Sequence, residues 1–414
     1  MELNLELVNL ICSVVVQNLI IGTLLIATPK RSPYRFLAIP ILIWNASRFV
    51  RPLGFSVYIQ TNTVGMLTVS VITAINVLLI NPLDERDLAR EMPTTFFRSG
   101  HFYYVFEILS FTRGIKTPRQ VKNLPAQPAF YDRYGGKIPV GRYLLRQLAI
   151  MSWQFLVIDI VQTLRGQMEL ESGFKEIEYE VSLEKWIERA ITNNITWFLV
   201  GRAVIDCSFR LSSVVFVSLG LDEPSNWLPQ FGRMKDAYTL RNFWGKFWHQ
   251  MLRQPFTTMS NFLARDVLHL PRPSILERYT NIFIVFFLSG AMHFILDLVA
   301  DIPWGLSGAM HFFLSFVLGI MIEDGVQALW KRFSPPQKSK DGEALTPLWK
   351  KVVGMVWVFA WFAVFSTPYT ERMAQLPPND LVPLSVVGKL GVETGGGLAF
   401  VGAVLLCLTV GPEV

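Results

Sequence analysis

The residues best suited to catalysis include two of the five histidines, and the first of these is His293. It lies in the apolar run IFIVFFLSGAMHFILDLVA, about 16 residues after Glu277, which corresponds to about 24 Å along a helix. Ionisable groups at such depth in a membrane are costly and commonly line a cavity or a proton relay. A neutral imidazole could accept a proton there. Ser289 and Gly290, one turn earlier, leave room for a ligand or for close helix packing. The alternative is a core histidine that bonds a neighbouring helix.

The second candidate, His249, lies near the end of the aromatic sequence RNFWGKFWHQ at 241–250. Two tryptophans, two phenylalanines and a glycine precede it within eight residues. These side chains could form an aromatic wall that directs an imidazole or an amide into a tunnel. The same composition is also typical of an aromatic belt at the membrane interface, so both interpretations remain open.

The composition indicates that these residues are positioned by membrane-spanning helices. Of the 414 residues, 51% are hydrophobic and 17% are charged, whereas soluble domains carry about 25% charged residues. Apolar runs of about twenty residues, the length that crosses a bilayer, recur along the chain. This pattern excludes an ordinary soluble enzyme and predicts an all-α polytopic membrane protein, a helical bundle with about 8–9 transmembrane helices. The candidate spans are 5–27, 36–52, 62–82, 144–164, 190–219, 277–300, 305–330, 349–367 and 392–412.

The charges of the loops support this topology through the positive-inside rule. Segment 83–143 carries ten basic residues and segment 331–351 carries six, whereas segment 165–189 carries seven glutamates. Nine spans with a non-cytosolic N-terminus place both basic segments, and also 221–276, in the cytosol. The aromatic and basic sequences FFRSGHFYYVFEILSF and LRNFWGKFWHQMLRQPF predict interfacial cytosolic helices there. The net charge of +6 is therefore attributed to loops and lipid headgroups and not to nucleic-acid binding.

Polar residues interrupt two of the predicted spans. Span 36–52 is interrupted by Asn45, Arg48 and Arg51, and the alternative for it is a short or re-entrant helix, which would invert the first two loops. Span 190–219 contains three charged residues spaced about one helical turn apart: Arg202, Asp206 and Arg210. They therefore share one face of a helix. That face is expected to meet other helices, with ion pairs, or else to line a polar cavity.

Two further sequence features bear on the choice of site residues. The hexapeptide SGAMHF occurs at 289–294 and again at 307–312, which makes His311 an alternative to His293. Three cysteines lie far apart, without CxxC or Cys/His spacing, so we expect neither a disulfide framework nor a metal site.

The sequence RNFWGKFWHQ, followed some forty residues later by SGAMH in an apolar span, resembles the wax-synthase-like branch of the membrane-bound O-acyltransferases. It is most similar to the fungal acetyltransferases that modify terpenoid and meroterpenoid metabolites. RGIKTPRQVKNLP at 113–125, NWLPQFGRMKDAYTLRNFW at 226–244 and the acidic pair Glu323-Asp324 also fit the family pattern. Lys116-Thr117 departs from it, because the family usually has Gly-Trp there. The resemblance extends from about 113 to 325.

The resemblance implies one membrane-embedded acyltransferase domain, 1–414, in the endoplasmic reticulum. Its catalytic core would span about 113–330, between N-terminal helices at 1–82 and C-terminal helices at 349–412. It implies acetyl-CoA as co-substrate, a hydrophobic alcohol as acceptor and no permanently bound cofactor.

The resemblance also implies the roles of individual residues. His293 would be the base that takes the proton from the acceptor hydroxyl, and His249 would orient the acyl donor or polarise its thioester carbonyl. The aromatic wall would be shaped by four residues: Asn242, Trp244, Trp248 and Gln250. Ser289 is a further candidate for substrate binding. Cytosolic cations would meet either the phosphates of coenzyme A or lipid headgroups: Lys235, Arg241, Lys246, Arg253 and Arg265.

Three other functions are compatible with parts of this pattern. A wax-ester or sterol-ester synthase would use a long acyl-CoA in the same reaction. A proton-coupled transporter could also use a histidine in the membrane, but no inverted repeat supports that function. A non-catalytic scaffold would be expected to lack the paired histidines. The acceptor and the oligomeric state are not specified by the sequence.

Overall fold

The computed structural model describes residues 5–91, 108–109, 112–135, 137–167, 173–178, 181–333, 346–376 and 385–410. Every regular element in these ranges is helical, which confirms the predicted all-α class. The predicted interfacial stretch 96–111 lies outside the described residues apart from Ile108 and Leu109, as do 411–412 of the last predicted span and much of the basic and acidic loops.

Fourteen helices follow one another in the described part of the chain, several of them joined by short 3-10 or π-helical turns. They are α1 (Leu5–Ala27), α2 (Pro33–Ser47), α3 (Val57–Ile75), α4 (Glu85–Glu91), α5 (Val140–Gln167), α6 (Leu183–Ser218), α7 (Leu240–Asn242), α8 (Arg253–Asn261), α9 (Ile275–Val299), α10 (Ala309–Phe333), α11 (Leu348–Phe365), α12 (Thr367–Ala374), α13 (Val387–Leu390) and α14 (Val392–Val410).

Six helices in the described residues are long and apolar enough to cross a membrane, and they coincide with six of the nine predicted spans. These six are Leu5–Ala27, Val57–Ile80, Val140–Gln167, Ile275–Val299, Trp304–Phe333 and Leu348–Phe365. The other three predicted spans are also helices. α2 has only 15 residues, α6 has 36 residues but carries the charged stripe, and α14 has 19 residues. The protein is an integral membrane protein.

The polar residues of α2 bond the neighbouring α1, which explains why they are tolerated in an apolar helix. The side-chain amide of Asn45 donates to the Gln17 side chain at 3.1 Å and to the Ser13 carbonyl at 3.2 Å. Arg48 donates to the Ser13 hydroxyl at 3.1 Å. At 1.5 Å per residue α2 is about 22 Å long, which is shorter than the hydrocarbon core of about 30 Å.

The site is held by a close pair of helices, α9 and α10, together with α6, α11 and α12. Gly290 of α9 permits this approach, because a Cβ atom there would lie 2.9 Å from Met310 Sδ. The space beside Gly290 is therefore used for helix packing. A cluster of buried aromatic rings fills the region between these helices, including Phe243, Trp248 and Phe312.

The aromatic sequence at 241–250 folds into this cluster. Phe243, Phe247 and Trp248 are each no more than 7% exposed, so their burial favours the wall over the interfacial belt. The segment is anchored by the acidic pair Glu323-Asp324 within α10. The Glu323 carboxylate accepts hydrogen bonds from the backbone amides that begin α7 and from Trp357 Nε1, so it supplies the negative charge that a helix N-terminus favours.

Candidate active site

His293 is held in one orientation by its own helix. Its Nδ1 lies 2.8 Å from the carbonyl oxygen of Ser289, and a carbonyl can only accept, so Nδ1 carries the hydrogen and donates it. The Nε2 lone pair is then available to accept a proton. The imidazole packs against Phe313, with ring centroids 4.3 Å apart, and meets the edge of Tyr369 at 6.4 Å.

His249 follows a single π-helical turn, Phe243–Phe247, which directs the chain back into the bundle. Its ring lies against Trp248 at 5.6 Å and Phe231 at 6.0 Å, and its Nδ1 is buried without a hydrogen-bond partner among the described residues. Burial, together with the nearby charges of His293 and Arg113, lowers the pKa of His249 to about 3. His249 is therefore a neutral imidazole at physiological pH.

A continuous set of aromatic rings connects the two histidines. Tyr369, which contacts His293, lies 5.4 Å from Trp197, and Trp197 stacks on Trp248 at 6.3 Å. Both imidazoles remain partly accessible although they lie in this densely packed region, so a ligand can reach them. The structure thus brings the two predicted histidines to one aromatic chamber. Tyr369 and Trp197 were not predicted, because their positions along the sequence carry no distinguishing spacing.

Three residues of the aromatic sequence contribute to the chamber in different ways: Gln250, Trp244 and Asn242. Gln250 is buried, and its side-chain amide donates to the carbonyl oxygens of Trp244 (3.0 Å) and Trp248 (2.5 Å), so it holds the turn that carries His249. Trp244 packs against Phe316 at 5.0 Å, and its Nε1 is buried without a partner among the described residues. The Asn242 backbone amide bonds the Thr239 hydroxyl that caps α7.

The predicted basic residues do not gather at the chamber. Arg241 pairs with Asp324 at 2.7 Å, and Arg265 pairs with Glu277 at 2.7 Å. Arg253 donates to the carbonyl oxygens of Lys122 and Gly245. Lys235 and Lys246 are exposed.

Asp297 is a buried acid that the sequence analysis did not single out. It lies one turn after His293, is 0% exposed, and accepts a hydrogen bond from the Ser307 hydroxyl at 2.5 Å through Oδ2. Its Oδ1 has no partner among the described residues. Burial and the nearby Asp297 charge raise the pKa of Tyr369, so Tyr369 is a neutral phenol. The spacing of four residues from His293 to Asp297 is the signal that could have identified this acid.

The second SGAMHF copy differs from the first in its surroundings. His311 is exposed and stacks on Phe365 at 6.1 Å, away from the ring that packs on His293. Ser307 of this copy instead provides the hydroxyl that binds Asp297. The structure thus separates the two histidines that the sequence left as alternatives.

The segment with Lys116-Thr117 supports the chamber from outside. Arg113 is 2% exposed and donates to the carbonyl oxygens of Pro229 and Leu228, each at 2.7 Å. Thr117 closes a turn through its hydroxyl, which donates to the Gly114 carbonyl at 2.7 Å. The departure from the family pattern therefore falls in a supporting turn.

Comparisons with known proteins show which family the sequence resembles. A model of the membrane bound O-acyl transferase family matches residues 227–315, which include both histidines. Acetyltransferase TRI7 of Fusarium sporotrichioides is 38% identical over 371 residues, covering 85% of this chain and 83% of the relative. Acetyltransferase pyr8 of Aspergillus fumigatus is 36% identical, covering 94% and 93%. Acetyltransferase spyB of Aspergillus fumigatus is also 36% identical, covering 92% and 68%. No solved structure matches the chain. These matches confirm the resemblance noted in the sequence.

Proposed function

The chain belongs to the membrane-bound O-acyltransferase family, and we propose that it transfers an acetyl group from acetyl-CoA to a hydroxyl of a hydrophobic, terpenoid-like alcohol in the endoplasmic reticulum. It is an acyltransferase, and the relatives reported above are each named acetyltransferase, which favours acetyl as the transferred group. One observation carries the proposal: His293, with Nε2 available to accept a proton, and a second, neutral histidine lie in one connected cluster of aromatic rings. The whole chain, 1–414, would act as one domain with its catalytic core at about 113–330.

The reaction begins with proton transfer, because an alcohol is a poor nucleophile until a base accepts its proton. His293 Nε2 takes the hydroxyl proton while the alkoxide oxygen attacks the thioester carbonyl, a contribution typically of about 10²–10⁴-fold in rate. The tetrahedral intermediate then expels the coenzyme A thiolate, which takes the proton from His293. The products are the acetyl ester and the free thiol of coenzyme A.

The negative charge that develops on the carbonyl oxygen needs a hydrogen-bond donor. A neutral imidazole carries one N–H. His249 is a neutral imidazole in the chamber and can therefore donate this hydrogen bond. A donor held in place before the reaction contributes more than one that must reorient. We therefore assign His249 to the donor carbonyl and not to proton abstraction.

The positive charge that develops on His293 needs a counterion in a site that holds little water. Asp297 is on the same face of α9, one turn away, and its free Oδ1 leaves it available to stabilise the imidazolium through space. Asp297 takes no proton in this scheme. It is a positioning residue for charge, and its bond to Ser307 fixes it between α9 and the start of α10.

The aromatic walls account for the choice of acceptor and for the protection of the donor. Rings from α10 and α12 contact His293, and the rings of Phe231 and Trp248 contact His249. An acceptor with apolar rings therefore gains contact area that a sugar or an amino acid would not. Exclusion of water also limits hydrolysis of the thioester, and the shared chamber provides proximity of the two substrates.

The proposed donor can be tested on membranes that contain the wild-type chain. Labelled acetyl-CoA and labelled palmitoyl-CoA are each supplied with the same panel of terpenoid alcohols and sterols, and lipophilic products are counted. We expect label to move from acetyl-CoA. Transfer from palmitoyl-CoA alone would contradict an acetyltransferase and indicate a wax-ester or sterol-ester synthase. Transfer from neither donor, with proton-coupled uptake of a solute in the same membranes, would indicate a transporter.

A further inference from the structure

Arg202 is a cation in the long helix α6, and no carboxylate of the described residues lies within ion-pair distance of it. It lies 16 residues before the end of α6 at Ser218, which corresponds to about 24 Å. The carbon of its guanidinium lies 5.3 Å from the ring of Phe231 and 5.9 Å from that of Phe247. Among the described residues, it makes no hydrogen bond and has no carboxylate within ion-pair distance.

The other two members of the charged stripe satisfy each other. Asp206 Oδ2 lies 2.6 Å from Arg210 Nε and accepts a second hydrogen bond from Gln154 at 2.7 Å. The single carboxylate of the stripe is thus already paired with Arg210. The sequence predicted either ion pairs or a polar cavity along this stripe. The ion pair is the one between Asp206 and Arg210, and it does not include Arg202.

An unpaired guanidinium at this depth is unfavourable unless a ligand supplies a negative charge or a hydrogen-bond acceptor to it. Ionisable side chains in membrane helices are costly and face cavities or partners. Contact with two aromatic rings offsets part of that cost, about 0.5–2 kcal/mol. A charged hydrogen bond to an anionic oxygen offsets much more. The arrangement therefore favours a negatively charged ligand beside Arg202.

Arg202 is connected to His249 through the ring of Phe231. Phe231, on which its guanidinium packs, also contacts Trp248 at 5.2 Å and His249 at 6.0 Å. Trp197, which stacks on Trp248, precedes Arg202 by five residues on α6. The C-terminal end of α6 is its cytosolic end by the loop charges, so Arg202 is more than one helical turn closer to the cytosol than Trp197.

We propose that Arg202 binds a phosphate oxygen of the acyl-CoA donor while the pantetheine arm extends past Phe231 to His249. The proposal rests on the proposed function, because it assumes a coenzyme A donor. The cations that sequence alone pointed to are less suitable. Arg241 and Arg265 are in ion pairs and Arg253 is bound to carbonyl oxygens.

The test measures binding and needs no acceptor. The full chain is purified in lipid nanodiscs, and dissociation constants are measured for coenzyme A, for dephospho-coenzyme A and for pantetheine, which has no phosphate. Arg202→Met keeps the length of the side chain and removes its charge. We expect it to weaken coenzyme A binding at least about 10-fold, which equals about 1.4 kcal/mol, and to leave pantetheine binding within about 2-fold of wild type.

The controls separate a phosphate contact from a structural role. Arg233→Met removes an exposed cation of segment 221–276. It should leave the dissociation constants of all three ligands unchanged. Arg202→Gln provides a second neutral variant in case the methionine variant is not folded, and the same selective loss is expected. Equal weakening for coenzyme A and dephospho-coenzyme A assigns the diphosphate, whereas a loss confined to coenzyme A assigns the 3′-phosphate.

Two results would overturn the role of Arg202. One is unchanged coenzyme A binding in a folded neutral variant, and the other is an equal loss of coenzyme A and pantetheine binding. A wild-type chain that binds neither coenzyme A nor pantetheine would instead refute the proposed donor, so the two failures are distinguishable.

Discussion

Replacing Asp297 with asparagine should slow acyl transfer about 100-fold and leave the Michaelis constants of both substrates unchanged. Asparagine has the same shape and can still bond the Ser307 hydroxyl, so α9 and α10 should stay in place. The substitution removes the ionisable carboxylate one turn from His293, and with it the negative charge that this group carries when ionised. That charge matters when His293 becomes positive, which happens in the transition state and not when the substrates bind.

The magnitude follows from the position of the two residues on one helix. Side chains four residues apart on a helix have Cβ atoms about 6 Å apart. Two unit charges at about 6 Å interact by about 2.8 kcal/mol at an effective dielectric constant near 20. Each 1.36 kcal/mol changes a rate about tenfold, which gives the factor of about 100.

The assay measures initial rates of acetyl transfer over a range of both substrates, with equal amounts of folded protein confirmed by gel filtration. Asp301→Asn is the matched control, because Asp301 is an exposed acid four residues further on. Its φ of +64° is a conformation that asparagine also adopts readily. A kcat within about twofold of wild type for folded Asp297→Asn would refute the electrostatic role. A raised Michaelis constant with unchanged kcat would point to substrate contact instead.

Three further predictions concern His249 and the turn that carries it. His249→Ala should lower kcat about 10²–10³-fold through loss of the oxyanion donor, measured in the same assay; an unchanged kcat would remove His249 from the mechanism. Because burial lowers the pKa of His249 to about 3, the unfolded chain binds a proton below about pH 6.5 that the folded chain does not. The free energy of unfolding of the wild type should therefore fall by about 1.4 kcal/mol per pH unit as pH falls from about 6.5 towards 3. That of His249→Gln should fall less, and thermal unfolding over this pH range measures both. Gly232→Ala should cost about 1–3 kcal/mol of stability, because the added Cβ would overlap the Lys246 carbonyl oxygen, whereas Gly245→Ala meets open space; equal melting temperatures would contradict this packing.

The apolar runs were sufficient to predict where most of the spanning helices lie. The span predicted at 5–27 is the helix Leu5–Ala27, because a predominantly apolar sequence leaves the backbone no other way to satisfy its hydrogen bonds in lipid. α6 was harder to delimit, because its charged stripe lowers the hydropathy of a helix that reaches 36 residues. The start of α6 at Leu183 therefore lies seven residues before the predicted one.

The candidate site was only partly visible in the sequence. His293 and His249 stand out by residue type and by apolar or aromatic surroundings, and the structure brings both to one chamber. Whether the aromatic sequence forms a wall or a belt depends on tertiary burial, since the same residues suit both. Among the residues that the structure describes, Arg202 and Asp297 Oδ1 have no hydrogen-bond partner. This is likewise a tertiary property, because it depends on what the neighbouring helices do not supply.

The most direct test of the account is a comparison of His293→Ala with His311→Ala in acetyl transfer. The two histidines occur in identical hexapeptides, so sequence context is matched and only the position in the fold differs. Both variants are compared with wild type for transfer of labelled acetyl from acetyl-CoA to an accepted alcohol. The account predicts that His293→Ala loses turnover while remaining folded in the membrane, and that His311→Ala stays within about twofold of wild type. Retained turnover in His293→Ala, with loss in His311→Ala, would contradict the assignment of the base.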